Sequence, residues 1–240
     1  MTVDRWTQTV RHQLGLGRLL PLGDARDGAW ISEAAADAVL RRAAESMRDV
    51  RLGAVRIGLA DPEVGHESAV PPPPSALPPG PLRATAEFAA TANEPLPTVG
   101  ARLRAVLVAA AEGLGLAVAE VDLRVTDLID AADDEPEPLP VPPEPAPAVS
   151  SGDDDEGHAA DAALSVPGVA HLTGTLGRPV HVEERPRETA AALPRRHVRV
   201  ELAVRADHHR ALDVAREVRA RVGQALPDHP TVAVLVTTVR

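Results

Sequence analysis

Apolar and polar positions alternate in two well-separated stretches of this chain, and each alternation leads into a helical period. In residues 83–90, Ala84, Ala86, Phe88 and Ala90 share one side, with Glu87 among the polar positions between them. In residues 197–204, Val198, Val200, Leu202 and Val204 share one side, and Glu201 stands where Glu87 stood. A period of two over this length predicts a half-buried strand. Residues 98–114 then carry Val99, Leu103, Leu107 and Ala110, and residues 208–226 carry Val214, Val218, Val222 and Ala225. Offsets of four, four and three put each set on one helix face. Gly113 and Gly115 end the first helix, Pro227 and Pro230 the second. A further alternating strand follows each: Val121, Leu123 and Val125, then Val232, Val234 and Val236. Upstream, Ala35–Ala38 and Ala159–Ala162 open short helices, followed by strands around Ala54–Leu59 and Pro179–Glu183.

The order helix, strand, strand, helix, strand therefore occurs twice, and strand, four-turn helix, strand is the spacing of a βαβ crossover. The pattern predicts an α/β (α+β) chain of two small repeated units, each a short mixed sheet with one crossover helix and a short N-terminal helix. The expected boundaries are an amphipathic segment at 1–29, a first unit at 30–130, a linker at 131–158 and a second unit at 159–240. One long and one short helix cover a small sheet incompletely, so each unit gains from association with its sister, another chain or a partner protein.

Two stretches are expected not to pack. Residues 70–81 hold the run Pro71–Pro74 and then Pro78, Pro79 and Pro81, which predicts an extended loop within the first unit. Residues 131–158 combine seven prolines with nine acids, which predicts a disordered, solvated linker. At the start of the chain Trp6, Val10 and Leu14 recur every four residues among Arg5, Arg11 and Arg18, predicting a short amphipathic helix. Such a helix can dock on its own domain, a partner groove or a membrane surface.

Composition narrows the function more than it defines it. All 25 basic residues are arginine, which together with the Ala, Pro and Val richness points to a GC-rich, actinobacterial type of coding sequence. The chain has no cysteine, so disulfide, thiolate-metal and thiol-nucleophile chemistry are excluded. No apolar run has the length of a signal peptide or a membrane span, so a cytoplasmic location is expected, with peripheral contact to the inner face of the membrane open. Most of the net charge of -10 lies in the linker; residues 1–130 are mildly acidic and 159–240 mildly basic.

The ordered set Ser165-Val-Pro-Gly-Val169, Val198–Val204, Val214-Ala-Arg-Glu-Val218 and Thr231–Val239 resembles the alkaline shock protein (envelope stress response, Asp/Gls-type) family. The resemblance covers residues 159–240, and residues 30–130 follow the same plan more weakly, with Met47–Leu52 where the V-P-G-V turn falls. It implies a non-enzymatic scaffold or adaptor of the cell-envelope stress response. The expected partner is a protein, a membrane-anchored small protein among the choices, or a second copy of the chain. It carries over no catalytic residue, cofactor or metal ligand.

Candidate chemistry is sparse. Adjacent His208 and His209 diverge rather than converge on a metal, with Asp207 expected as a helix cap. The acidic runs lack a calcium-loop pattern, Ser150 and Ser151 lack a nucleophile elbow, and Gly174–Gly177 reads as a hairpin turn. No catalytic, cofactor or metal site is therefore assigned. The residues expected to meet a partner are Trp6, Val10, Leu14, Arg199, Arg205, Arg216 and Arg219. The arginines also raise an alternative, an RNA-binding module in the second unit. The acidic total and an aromatic content of 1% argue against it.

Overall fold

The first three described helices begin where the sequence supplies a cap or a proline, in a computed structural model that describes residues 16–129, 145–149, 154–185, 195–205 and 209–240. Ser32 caps α1 (Glu33–Ala44), its Oγ accepting from the Ala35 N–H at 3.1 Å. Glu33 in the first turn and Arg41 and Arg42 in the last complement the helix dipole. Helix α2 (Leu96–Leu114) starts behind Pro95 and stops at Gly115, whose φ of 96° turns its N–H back onto the Ala111 and Glu112 carbonyls. Asp154 caps α3 (Asp155–Leu164), accepting from Gly157 N–H at 2.9 Å. Helix α4 (Ala211–Ala225) follows Arg210.

Two sheets hold these helices. The smaller contains β3 (Val50–Leu59), β4 (Leu82–Thr91) and β5 (Val118–Ile129) in that order. The larger contains β1 (Leu19–Leu22), β2 (Ala29–Ser32), β9 (Thr231–Val239), β8 (Arg195–Val204) and β6 (Val169–Leu172), with β7 (Val180–Arg185) also on β8. Strand β4 is antiparallel to β3 and parallel to β5, with α2 crossing between β4 and β5. Strand β8 is antiparallel to β6 and β7 and parallel to β9, with α4 crossing between β8 and β9. Helix α1 lies between the sheets, touching β2 and β9 of the larger, β3 of the smaller, and α2. One continuous apolar core joins Phe88, Leu103 and Leu107 to Val200, Val218 and Val236.

Several boundaries differ from the sequence expectation. Strand β1 lies inside the stretch expected as an amphipathic segment, and β2 starts the stretch expected as the first unit. Both instead complete the sheet of the second, β2 pairing in parallel with β9 through Ala29–Val234, Trp30–Leu235 and Ile31–Val236. The reason is burial: Leu19, Leu20, Leu22, Trp30 and Ile31 are all buried, and β9 offers them an apolar neighbour. The linker ends earlier than expected, because Asp154 and the first-turn acids Asp155 and Glu156 favour a helix N-terminus. Within it, Ala148 N–H also donates to Leu172 O at 2.9 Å. Residues 131–144 and 150–153, where the disordered linker is expected, lie outside the described residues. Ala225 is exposed and Leu226 buried, so the α4 stripe closes one residue later than expected.

The proline loop is the largest correction. Val70, Pro73 and Pro79 are buried, and Val70 packs with Leu19, Trp30, Ala233 and Leu235 on the side of the larger sheet away from the helices. Leu77 N–H donates to Leu19 O at 2.8 Å and Trp30 Nε1 to Leu77 O at 3.3 Å. Proline lacks a donor but keeps an apolar ring and an acceptor carbonyl, so a proline-rich segment with Val70 and Leu77 in it can roof a sheet.

Candidate association surface

Three strand edges are closed by the chain itself. Along β3, Arg41 Nη1 and Nη2 donate to the Leu52 and Gly53 carbonyls at 3.3 and 2.8 Å. Farther on, Arg18 Nη2 donates to Ile57 O at 2.6 Å, and Glu33 Oε1 accepts from Ile57 N–H at 3.3 Å. The proline loop closes β1, and Ala148 closes β6. These contacts satisfy backbone groups that otherwise recruit another strand.

Strand β5 is different. It runs for 12 residues, pairs with β4 on one side, and has no strand on the other among the described residues. Along this edge Arg104 Nε donates to the Val121 carbonyl at 3.2 Å. The helix-side residues Val121 and Leu123 are partly buried against the core, whereas Val125 is 39% and Leu128 56% exposed. The opposite face is charged. Glu120 accepts from Arg83 Nε at 2.6 Å, Asp122 lies 3.6 Å from Arg83, and Arg124 pairs with Glu87. Register shifts at Leu82/Arg83 and Phe88/Ala89 bracket a regular stretch from Glu120 to Val125. The alternation of Glu120, Asp122 and Arg124 with Val121, Leu123 and Val125 was visible in the sequence; which edge of the sheet it would occupy was not.

The expected contact residues do not form one patch. Trp6, Val10 and Leu14 lie outside the described residues, as do Asp207 and His208. Arg216 binds Asp27 through Nε and Nη2 at 2.7 and 3.0 Å, and Arg219 donates to the Arg26 carbonyl. Arg205 donates to Val169 O at 3.0 Å. Arg199 lies on the sheet face away from α4, 3.4 Å from Glu201 and mostly buried. Each of these four arginines thus has an intramolecular contact.

Glu201, which the sequence pattern matches to Glu87 without giving it a role, is a fully buried ionisable group. It is 0% exposed at the point where β8 changes partner from β7 to β6. Its Oε2 accepts from Leu176 N–H at 3.0 Å, so the carboxylate anchors the turn after β6. Burial pushes its pKa up to about 7, against the opposing pull of the Leu176 and Thr175 N–H groups and Arg199. The arrangement is that of a loop anchor. Elsewhere, an open depression of ≈ 580 Å³ lies between the end of α1 and α2, floored by Met47, Ala105 and Val106 and rimmed by Arg48, Asp49 and Arg102. Among the described residues no three His, Asp or Glu side chains are placed to hold a metal ion.

No family model, curated protein or solved structure matches the chain.

Proposed function

We propose that this protein is a non-enzymatic scaffold or adaptor that works by protein–protein association, with β5 as its contact edge. The observation that supports it most is the contrast between the 12-residue β5 edge, on which Arg104 alone meets a backbone group among the described residues, and the side-chain or loop cover over β3, β1 and β6. A long strand edge is a template for pairing with another chain, and backbone hydrogen bonds supply its affinity. The envelope-stress setting rests on the resemblance in residues 159–240. No described helix is long and apolar enough to cross a membrane, so membrane contact in this reading is peripheral or through a partner. The RNA-binding alternative has less support, because Arg199, Arg205, Arg216 and Arg219 are engaged within the chain.

The test is a pair of full-length proteins, wild type and V125D/L128D. Both substituted side chains are exposed, so the variant should melt like wild type. Sedimentation velocity and cross-linked capture from the source cells should show an assembly that the variant loses. A wild-type chain that neither self-associates nor captures anything sensitive to these substitutions overturns the reading.

A further inference from the structure

We infer that the occupant of the β5 edge is a second copy of this chain, paired antiparallel about a twofold axis at Leu123. This inference rests on the association reading above. It is carried by the charge order along the regular stretch of β5, which sets opposite charges face to face with no like-charge pair in one register.

In a twofold antiparallel pairing each residue meets a partner at a constant sum of residue numbers, and facing residues must lie on the same side of the sheet. With Leu123 facing Leu123, Val121 faces Val125 on the apolar side. On the charged side Asp122 faces Arg124, and the symmetry makes that contact twice. Sliding by one residue in either direction places a like-charge pair on the axis, and only the slide to Asp122 keeps opposite-charge neighbours, Glu120 against Arg124, on either side of it. An axis at Asp122 sets Asp122 against itself, and an axis at Arg124 sets Arg124 against itself, each a directly opposed like-charge pair. Asp122 and Arg124 are 63% and 71% exposed, so both can turn to meet a neighbour. In the Leu123 register the charged face reads Glu87, Arg124, then Asp122 and Arg83 of the second copy, alternating in sign across the join. The apolar face gains cover over Val121, Leu123 and Val125, where the single chain leaves it thinnest. The bulges at both ends of the regular stretch limit the pairing to about this window.

Two independent experiments on the full chain test this. First, D122R and R124D are each examined alone and mixed. D122R alone makes two Arg–Arg contacts and R124D alone two Asp–Asp contacts, so each should self-associate on the order of tenfold more weakly than wild type, or worse. Mixed one to one, a D122R chain sets two arginines against the two aspartates of an R124D chain. Both facing pairs are then of opposite charge, and a heterodimer should form at least as tightly as the wild-type dimer. Second, because the chain has no cysteine, L123C should form a disulfide-linked dimer under mild oxidation. V121C alone and V125C alone should not, whereas their mixture should. Melting curves confirm that each variant folds.

A wild-type chain that stays monomeric at its solubility limit overturns the inference. So does a dimer that tolerates D122R and R124D equally, or one in which L123C cross-links no faster than V121C. If the chain is monomeric yet V125D/L128D loses a different protein, the second copy is excluded while the association reading stands.

Discussion

Arg216 on α4 holds Asp27 in the turn between β1 and β2 through two hydrogen bonds, 2.7 and 3.0 Å long, across 189 positions of chain. Asp27 also accepts from Asp24 N–H at 2.7 Å, so one carboxylate closes the turn and ties it to the helix. Burial alone raises the Asp27 pKa, but Arg216, the turn N–H and Arg219 outweigh it and hold the group below its ordinary value.

A carboxylate with a depressed pKa stabilises the fold above its unfolded value and loses that contribution as pH falls through its folded one. Asp27→Ala should therefore cost about 1–3 kcal/mol near neutral pH, because it orphans the turn N–H as well as Arg216. Arg216, half exposed, should cost less when replaced by Ala, about 1 kcal/mol. Urea unfolding at pH 7 and again below pH 4 checks both: the gap between Asp27→Ala and wild type should shrink in acid.

Glu201 behaves in the opposite sense. Its pKa is raised, so the fold favours the neutral acid. The stability it lends is complete below about pH 4.3, its unfolded value, and is lost as pH rises through about 7. Over that window the loss should be about 4 kcal/mol at most. Glu201→Gln keeps an acceptor for Leu176 N–H and cannot ionise, so its melting temperature should vary less between pH 5 and 8 than that of wild type. Equal slopes for the two proteins would contradict this.

Gly115 combines a left-handed backbone with a close neighbour from the other half of the chain. A Cβ there would lie 2.4 Å from Leu212 Cβ. Gly177 has a comparable φ of 113° but nothing within 4 Å. Gly177→Ala should cost about 1–2 kcal/mol of backbone strain, and Gly115→Ala that amount plus about 1–3 kcal/mol from forcing α2 and α4 apart. Chemical denaturation of both variants separates the two contributions.

The N-terminal boundary gives a fourth expectation. A deletion of residues 1–15 leaves β1 whole, whereas a deletion through Leu22 removes it. Because Leu20 is fully buried, Leu20→Ala alone should cost about 2–5 kcal/mol. The longer deletion should lower the melting temperature far more than the shorter one.

The elements that were legible in the sequence are those with a clean period. Val99, Leu103 and Leu107 are buried as one stripe, as are Val214, Val218 and Val222, and the alternation in β4, β8 and β9 sets which face meets the helices. Strands β1 and β2 were missed because four buried residues in a row carry no alternation, and the β9 partner of β2 lies about 200 residues away in sequence. The cover over the larger sheet was missed because prolines were weighed as missing donors rather than as apolar rings. Helix α4 starts at Ala211 rather than His208, after Arg210 in an extended conformation that gives it no side-chain cap. As for the candidate site, the charge order on β5 was readable, but its position at an edge depends on which strands become its neighbours, and no local pattern encodes that. Glu201 matches Glu87 in the sequence pattern. Its burial follows from the turn folded over it, which Glu87, half-buried on an open face, lacks.

The pairing of β2 with β9 constrains how the molecule can be made. During synthesis residues 29–32 leave the ribosome about 200 residues ahead of their neighbours at 234–236, so the larger sheet stays open until β9 has emerged. A nick among residues 149–153 yields two pieces, neither holding a complete set of strands for that sheet. Produced together, the pieces should find each other and restore the fold without a peptide bond between them; produced apart, each should be prone to aggregation.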